Sequence, residues 1–377
     1  MRDEALFLVE WVAHHLAIGF DRIIVYTNDC SDGTDKLLAA MAGAVPVEHY
    51  PNPGPYTAGT IQKQALHLAF QLPQVRNADW VLHIDADEYL NVETGTRRIN
   101  DLIALFPDVD AIAIQWRHFG NAGQTTWAGG SVIETYRMCE GNVPLPGTEA
   151  EVGFKTLFRP RKFKMMGVHT PKKTYHNRVP AVVNTAGTPM PVDALMTKRN
   201  SGYPVDASQC TWANACLHHH HVKSDDLQWL KHSRGDANGR ANTKRMIGSD
   251  HYRLVNRNEV ENDSLLQLRA RVAPIEAAIR ALPLVAEVEA SALAWFRSRY
   301  QDAGIAAAMA EKERIALDWL LIRLDEIRRA SGTAKYEARA VQWFTRLLAR
   351  LDAAQDSAEQ PPSSDPHNTA QAVAGSV

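Results

Sequence analysis

The alternation of helices and strands predicts an α/β protein in which helices cover both faces of a central, parallel and doubly wound sheet. Segments with helical spacing of apolar residues alternate with short apolar runs over residues 1–116. Two polar clusters each follow a predicted strand, and ligands bind at the carboxyl ends of strands in such sheets. The chain has 377 residues, 45% of them hydrophobic, which is enough for one large domain and an accessory segment.

The first predicted element is a helix, because Leu6, Val9, Ala13 and Leu16 recur at helical spacing and Gly19 can end it. Strands are predicted at residues 22–27, 46–50, 80–84 and 111–116. Helices are predicted near residues 37–41, 60–72 and 97–106, and a proline-rich loop at residues 50–59. Residues 117–196 are rich in glycine, proline and aromatic residues, which predicts loops and short antiparallel strands. Beyond residue 225 the pattern becomes helical, with an apolar stripe over residues 315–351.

Composition excludes some classes of protein. The 41 basic and 43 acidic residues give a formal net charge of -2, which does not favour nucleic-acid binding. The cysteines are widely spaced and lack a CxxC motif, so we expect reduced thiols in a cytoplasmic protein. No apolar stretch approaches the roughly 20 residues that span a bilayer, so we expect at most peripheral contact with the inner face of a membrane. The four cysteines are Cys30, Cys139, Cys210 and Cys216.

The stretch "WVLHIDADEYL" places three acidic residues directly after a buried strand. Such carboxylates repel one another unless a cation or hydrogen-bond donors lie among them. In an extended segment Asp85 and Asp87 point to the same side, and paired carboxylates suit Mg²⁺ or Mn²⁺ bound to a diphosphate. A solvated acidic turn is the alternative, since DxD occurs often by chance. The position at a strand end favours a metal site.

The stretch "TNDCSDGT" follows the first predicted strand. Turn chemistry explains part of it, because Ser31 or Asp32 can cap the next helix. Asn28 and Asp29 lie at the carboxyl end of the strand, where they could hold the base and ribose of a nucleoside.

The stretch "CLHHHHVKS" contains four consecutive histidines. In a strand His218 and His220 lie on one face and His219 and His221 on the other, so all four cannot bind one metal. A neutral imidazole can bind Mn²⁺, and Lys223 can contact a phosphate. Solvent-facing side chains are the alternative for an isolated histidine run.

Together these segments resemble the glycosyltransferase family 2-like enzymes of GT-A fold, and more narrowly a bacterial branch. The motifs of that branch appear here as "EALFLVEW", "NDCSDGT", "WVLHIDADEYL" and "HHHVKS". The resemblance covers about residues 1–240. It implies a GT-A-like, doubly wound mixed sheet in residues 1–240, followed by a helical extension in 241–352 and a disordered tail in 353–377.

The resemblance also implies transfer of a sugar from a nucleotide-diphosphate donor to an acceptor hydroxyl in surface glycan or polysaccharide synthesis. Asp87 would bind the metal directly and Asp85 would lie nearer the ribose, while His219 would add a metal or diphosphate contact. The residue after His219 is commonly aromatic and is His220 here, so the register of the histidine run stays open. The implied nucleotide, diphosphate and metal contacts are Asn28, Asp29, Asp32, Asp85, Lys223, Asp87 and His219.

The chemistry of sugar transfer agrees with these residues. Negative charge develops on the departing diphosphate, where Mn²⁺ or Mg²⁺ and Lys223 would stabilise it. An inverting enzyme also needs a carboxylate to take the proton of the acceptor, and the sequence does not choose among Glu134, Glu151 and Asp193. A nucleotidyltransferase and a non-catalytic nucleotide-sugar-binding protein are the alternatives, although the glycine-rich, lysine-bearing phosphate loop of many nucleotidyltransferases is not seen near the start.

The beginning of the sequence differs from the pattern of the fold. A strand normally precedes the first helix and ends near the position of Met1. Either this strand is encoded upstream of the given sequence or the domain lacks a central nucleotide-binding strand, and we expect the first of these.

Overall fold

The computed structural model describes residues 1–56, 59–148, 151–196, 203, 205–234 and 247–301. Residues Met1–Tyr300 form one compact unit. The predicted apolar stripe of residues 315–351 and the predicted tail lie outside the described residues. Among the helices of the described part, none is both long enough and apolar enough to cross a bilayer.

The strands are short and extend over most of the described chain. They are β1 (Ile23–Thr27), β2 (Val47–Pro51), β3 (Val81–Leu82), β4 (Glu88–Val92), β5 (Ala111–His118), β6 (Met138–Cys139), β7 (Phe154–Phe158), β8 (Phe163–Met165), β9 (Lys172–Thr174), β10 (Val182–Asn184), β11 (Ala215–His219) and β12 (Val260–Glu261).

Helices precede, separate and follow these strands. The α-helices are α1 (Ala5–Ala17), α2 (Thr34–Met41), α3 (Ile61–Ala69), α4 (Pro73–Arg76), α5 (Ile99–Ala104), α6 (Val132–Thr135), α7 (Asp193–Met196), α8 (Asp225–Ser233), α9 (Asp250–Val255), α10 (Arg269–Arg280) and α11 (Val285–Phe296). Short 3₁₀ turns lie at Pro160–Lys162, Tyr175–Asn177, Ala207–Gln209 and Ser264–Leu268, and a π turn lies at Arg297–Gln301.

The main sheet has six strands and is mixed. Its order is β3-β7-β5-β11-β4, and β10 also pairs with β5. The pairs of β5 with β10 and β11 are parallel, whereas the other pairs of this sheet are antiparallel. Strands β1 and β2 form a separate parallel pair. The predicted α/β class is confirmed, but the sheet is not the parallel one that the alternation of helices and strands predicts.

The acidic turn is the largest local difference from the predicted elements. The predicted strand at residues 80–84 is shortened to Val81–Leu82, and a turn forms at Ala86 and Asp87. A new strand, β4, begins at Glu88 and pairs antiparallel with β11, and all of its residues are buried. Asp85 and Asp87 therefore lie between two strands, and Glu88 begins the second of them.

Helix α1 holds this turn in place from one side of the sheet. The Trp11 indole donates a hydrogen bond to the Glu88 carbonyl at 2.9 Å, and a ring nitrogen of His14 lies 2.9 Å from the Leu90 carbonyl. Glu10 accepts hydrogen bonds from Ser131 and from backbone amides at the start of α6. The apolar face of α1 packs in the main core with α10 and α11, so the start of the chain and the later helices share one core.

A cavity of about 840 Å³ lies between the two-stranded sheet and the edge of the main sheet. On the edge of β1 that faces away from β2, the Met1 amine donates to the Tyr26 carbonyl, and the Met1 carbonyl accepts from the Asn28 amide at 3.3 Å. Among the described strands β3 pairs with β7 alone. The cavity thus begins at the carboxyl ends of β1 and β3. It continues between the edges of these strands with which no other described strand pairs.

Candidate functional site

The upper part of the cavity collects polar side chains from distant segments of the chain. They extend from the turns after β1 and β3, from the end of β11 and the residues after it, from the segment before β7, from α3 and from the end of α8. This polar lining includes Asn28, Gln62, Asp85, Asp87, Glu151, His219, His221, Lys231 and Arg234. Because these groups face one space, they can act on one ligand.

Asp87, His219 and His221 form the centre of the site. One potential ligand atom from each lies within 4.8 Å of the others. Asp87 Oδ1 is 3.7 Å from His219 Nε2. The backbone fixes this arrangement, because the His220 amide donates a hydrogen bond to the Asp87 carbonyl at 2.9 Å. The structure therefore brings together the predicted residues Asp87 and His219 and adds His221.

The four consecutive histidines alternate between the two faces of the strand, as the sequence predicts. The rings of His219 and His221 lie 5.2 Å apart on the cavity side. On the other side, His218 and His220 each stack on Phe119 with ring centroids 4.5 Å apart. Two of the histidines therefore belong to the site and two to the packing of the sheet.

The protonation states of this cluster suit a metal ion. Burial lowers the pKa of His219 and of His221 well below the usual value, so both imidazoles are neutral. Burial opposes ionisation of Asp87, but the Lys231 ammonium outweighs it and lowers the pKa of that carboxyl. His219 Nδ1 and His221 Nε2 are buried and have no hydrogen-bond partner among the described residues. One carboxylate and two neutral imidazoles fit a divalent transition metal such as Mn²⁺.

Asp85 lies outside this cluster. Its Oδ2 accepts a hydrogen bond from Lys155 Nζ at 2.8 Å, and its Oδ1 accepts one from Gln62 at 3.2 Å. Lys155 is fully buried and also lies 3.6 Å from Glu88. Burial opposes ionisation of Asp85, but Lys155 lowers its pKa well below the usual range. The turn at residues 86 and 87 replaces the extended backbone assumed from the sequence, so the two aspartates of DxD have different partners.

The lysine beside the cluster of Asp87, His219 and His221 is Lys231, at the end of α8. Its Nζ donates hydrogen bonds to Asp87 Oδ2 at 2.5 Å and to the His221 carbonyl at 2.8 Å. The predicted phosphate contact Lys223 does not line the 840 Å³ cavity. Its Nζ donates to the His220 carbonyl at 3.1 Å and lies 5.1 Å from the centre of the Phe7 ring.

The "NDCSDGT" segment divides into a structural part and a part at the cavity. Asp32 is buried and accepts hydrogen bonds from the Ala5 and Thr34 amides at 2.8 and 2.9 Å, which joins the starts of α1 and α2. Asn28 lines the cavity, and its amide donates to the exposed Asp29 carboxylate at 3.1 Å. Asn28 therefore faces the cavity, Asp29 lies beside it but does not line the cavity, and the Asp32 carboxylate is held within the fold.

Of the three candidate bases, Glu151 lines the cavity. One of its carboxylate oxygens lies 3.9 Å from Nε2 of the buried His118. Glu134 on α6 forms an ion pair with Arg269 at 2.9 Å, and the exposed Asp193 is on α7. Neither Glu134 nor Asp193 lines this cavity.

Comparisons with known proteins point in one direction. Residues 2–192, just over half of the chain, match the family model described as glycosyltransferase family 92. A glycosyltransferase family 92 protein from Oryza sativa subsp. japonica is 28% identical over 129 residues, 33% of this chain and 21% of the relative. A protein of the same description from Ricinus communis is 27% identical over 96 residues, 25% of this chain and 16% of the relative. The chain thus spans about a fifth or less of the length of these curated relatives.

Proposed function

Since the chain belongs to glycosyltransferase family 92 and is a glycosyltransferase, we propose that it moves a sugar from a nucleotide-diphosphate donor to an acceptor hydroxyl with the help of a divalent cation. The cluster of Asp87, His219 and His221 at the cavity carries this proposal. It offers a carboxylate and two neutral imidazoles to a cation where a diphosphate can enter.

The assignment corrects the family that the motifs resemble. The chain is a glycosyltransferase, as predicted, but of family 92 and not of the family 2-like group. The matching relatives named above are plant proteins, so they give no support to a specifically bacterial branch. Short motifs such as N-D-x-S-x-D-G-T and D-x-D-E reflect helix capping and acidic turns, which unrelated families can share. The family also favours sugar transfer over the nucleotidyltransferase and binding-protein alternatives.

The polar groups nearest the acidic turn have separate roles in the proposed reaction. Asp87, His219 and His221 would hold Mn²⁺ or Mg²⁺, and the two imidazoles favour Mn²⁺. A cation bound there would stabilise the negative charge that develops on the departing diphosphate. Asp85, which Lys155 keeps ionised and which Gln62 contacts at 3.2 Å, would accept hydrogen bonds from ribose hydroxyls. A GT-A-type arrangement, with the donor at the carboxyl ends of β1 and β3, agrees with this placement.

The acceptor side of the site requires a base. Glu151 is the candidate that reaches the cavity, and we assign it the removal of the proton from the acceptor hydroxyl in an inverting transfer. The acceptor in this proposal is a hydroxyl of a surface glycan or polysaccharide. We also propose a cytoplasmic location, which is supported by the four cysteines being free thiols.

Asp87→Asn tests the proposal directly. The variant should lose transfer by about 100-fold or more, because a neutral amide is a poor ligand for the cation. The full chain would be assayed with Mn²⁺ and a panel of nucleotide sugars, first for thermal stabilisation and then for transfer to glycan acceptors. Circular dichroism checks that the variant is folded.

Asp108→Asn is the matched control, since Asp108 is exposed and does not line the cavity. It should keep wild-type turnover. If Asp87→Asn turned over as fast as the wild type at saturating Mn²⁺, the reaction would not depend on a metal at this cluster. Activity that survives complete chelation in the wild-type protein would have the same meaning.

A further inference from the structure

Asp87 has a second cationic partner besides the proposed metal. Its Oδ1 faces His219 Nε2 at 3.7 Å, and its Oδ2 accepts a hydrogen bond from Lys231 Nζ at 2.5 Å. Lys231 also donates to the His221 carbonyl at 2.8 Å, so two residues of the cluster hold its ammonium. The Lys231 side chain is about as enclosed as that of Asp87, each being 10% exposed.

The ammonium and a divalent cation would compete for Asp87. A carboxylate oxygen 2.5 Å from an ammonium is already engaged in a charge-assisted hydrogen bond. A metal ion held by Asp87 Oδ1 and the two imidazoles would lie a few ångströms from that ammonium, where like charges repel strongly in a site shielded from water. Although the two cations would use different oxygens of Asp87, each would therefore weaken the contact of the other with that carboxylate.

We propose that Lys231 is a built-in competitor for the metal, which neutralises Asp87 until a cation and a nucleoside diphosphate bind together. The inference rests on the metal site of the proposed function. A diphosphate in the cavity gives the Lys231 ammonium a new anionic partner, so donor binding releases Asp87 to the metal. Metal and diphosphate then strengthen each other's binding by the same factor, as linkage requires.

The neighbouring cations do not share this arrangement. Arg234, one turn further along the chain, pairs with Glu4 at 2.6 Å and donates to the Arg2 and Asp3 carbonyls. Lys223 donates to the His220 carbonyl and not to a carboxylate of the cluster. Lys223 is a buried lysine like Lys231 but lacks the contact with Asp87, so it provides a matched control for loss of a buried amine.

Binding of Mn²⁺ alone, followed by the electron paramagnetic resonance signal of the free ion, tests the inference without an activity assay. Lys231→Met should bind Mn²⁺ about tenfold more tightly than the wild type, within the usual range of coupling between sites. Lys231→Arg, which keeps the charge, and Lys223→Met should stay near the wild-type dissociation constant. Adding uridine diphosphate should tighten Mn²⁺ binding in the wild type and much less in Lys231→Met.

The outcomes separate this inference from the proposed function. If the wild type binds Mn²⁺ and Lys231→Met binds it no more tightly, Lys231 is not a competitor and the inference alone fails. If Lys231→Met does not fold, Lys231→Arg is titrated with Mn²⁺ in the presence and absence of uridine diphosphate. A Mn²⁺ affinity that the diphosphate leaves unchanged would overturn the inference that donor binding releases Asp87 to the metal. If neither protein binds Mn²⁺, or if Asp87→Asn binds it as well as the wild type does, the metal site itself is wrong and both proposals fall.

Discussion

Glu151 is the residue on which the proposed proton transfer depends. Its carboxylate lines the cavity and lies 3.9 Å from His118 Nε2. Glu151→Gln preserves the shape of the side chain and removes its basicity, so we expect kcat to fall by about 100- to 10,000-fold, the usual contribution of a general base. Affinity for the donor should change little. Steady-state kinetics with donor and acceptor varied separately measures both quantities.

Glu134→Gln is the matched control for this variant. Glu134 pairs with Arg269 and does not line the cavity, so its loss should leave kcat near the wild-type value. A fall in kcat for Glu134→Gln with none for Glu151→Gln would reverse the assignment. Hydrolysis of the donor by water should persist more in Glu151→Gln than transfer does, since the departing diphosphate does not require the base.

Part of the site follows from individual residues of the sequence. Asp87 and His219 are predicted from motifs and meet in the structure, and the period of two along a strand already placed His221 on the same face as His219. Lys155 and Lys231 could not be predicted in this way. Lys155 lies in a buried strand 70 residues from Asp85, and Lys231 is 144 residues from Asp87 in the last turn of a helix, so pairing depends on the tertiary fold.

At the scale of elements, β11 and the two residues after it show how one short segment serves both core and site. His219 and His221 face the cavity, while His218 and His220 pack on Phe119. Both ring nitrogens of His220 are buried without a hydrogen-bond partner among the described residues. Such an imidazole costs desolvation energy that an apolar side chain of similar volume avoids.

Replacing a histidine by leucine should have different effects on the two faces of this segment. His220→Leu should keep Mn²⁺ binding and change the free energy of unfolding by less than about 1 kcal/mol, because the orphaned nitrogens offset the lost stacking on Phe119. His219→Leu should weaken Mn²⁺ binding by at least about tenfold, since it removes a ligand. Urea unfolding and metal titration measure the two effects. Equal effects of both variants on metal binding would contradict the alternation.

Element β4 shows why the acidic turn could not be predicted in full. The sequence from Glu88 to Val92 contains Glu88 and Asn91, which are unusual in a fully buried strand. Glu88 is tolerated because Lys155 lies 3.6 Å away, and the Asn91 amide donates to Glu93 and Ser264. Lys155 and Ser264 come from distant segments, so the local pattern did not reveal a strand.

At the scale of the whole molecule, the class of fold was predictable and the pairing of strands was not. Hydrophobic spacing predicted most helices and strands of the first 116 residues to within a few residues, but it missed α4 and β4. The mixed order of the sheet depends on contacts such as those of β10 and β11, which share one edge of β5. Such long-range pairings leave no signal in local periodicity.

The cavity between β1 and β3 has a consequence for the exchange of backbone hydrogens with water. The Ile23 amide donates to the Pro46 carbonyl at 2.9 Å, and the Thr27 carbonyl accepts from the Asn52 amide at 2.7 Å. The backbone polar groups of Ile23 and Thr27 therefore point towards β2. Since peptide groups alternate along a strand, the amides of Ile24 and Tyr26 point to the cavity, where no described strand pairs with them.

Native-state hydrogen exchange should therefore divide β1 residue by residue. We expect the Ile24 and Tyr26 amides to exchange at least roughly 100-fold faster than those of Ile23 and Val25, because exchange through local access requires no global unfolding. Amide-resolved NMR after transfer into heavy water measures this. Equal protection of all four amides would mean that the cavity side of β1 is closed to water. The alternating pattern would instead reveal a line of deuterium uptake through the interior of the protein.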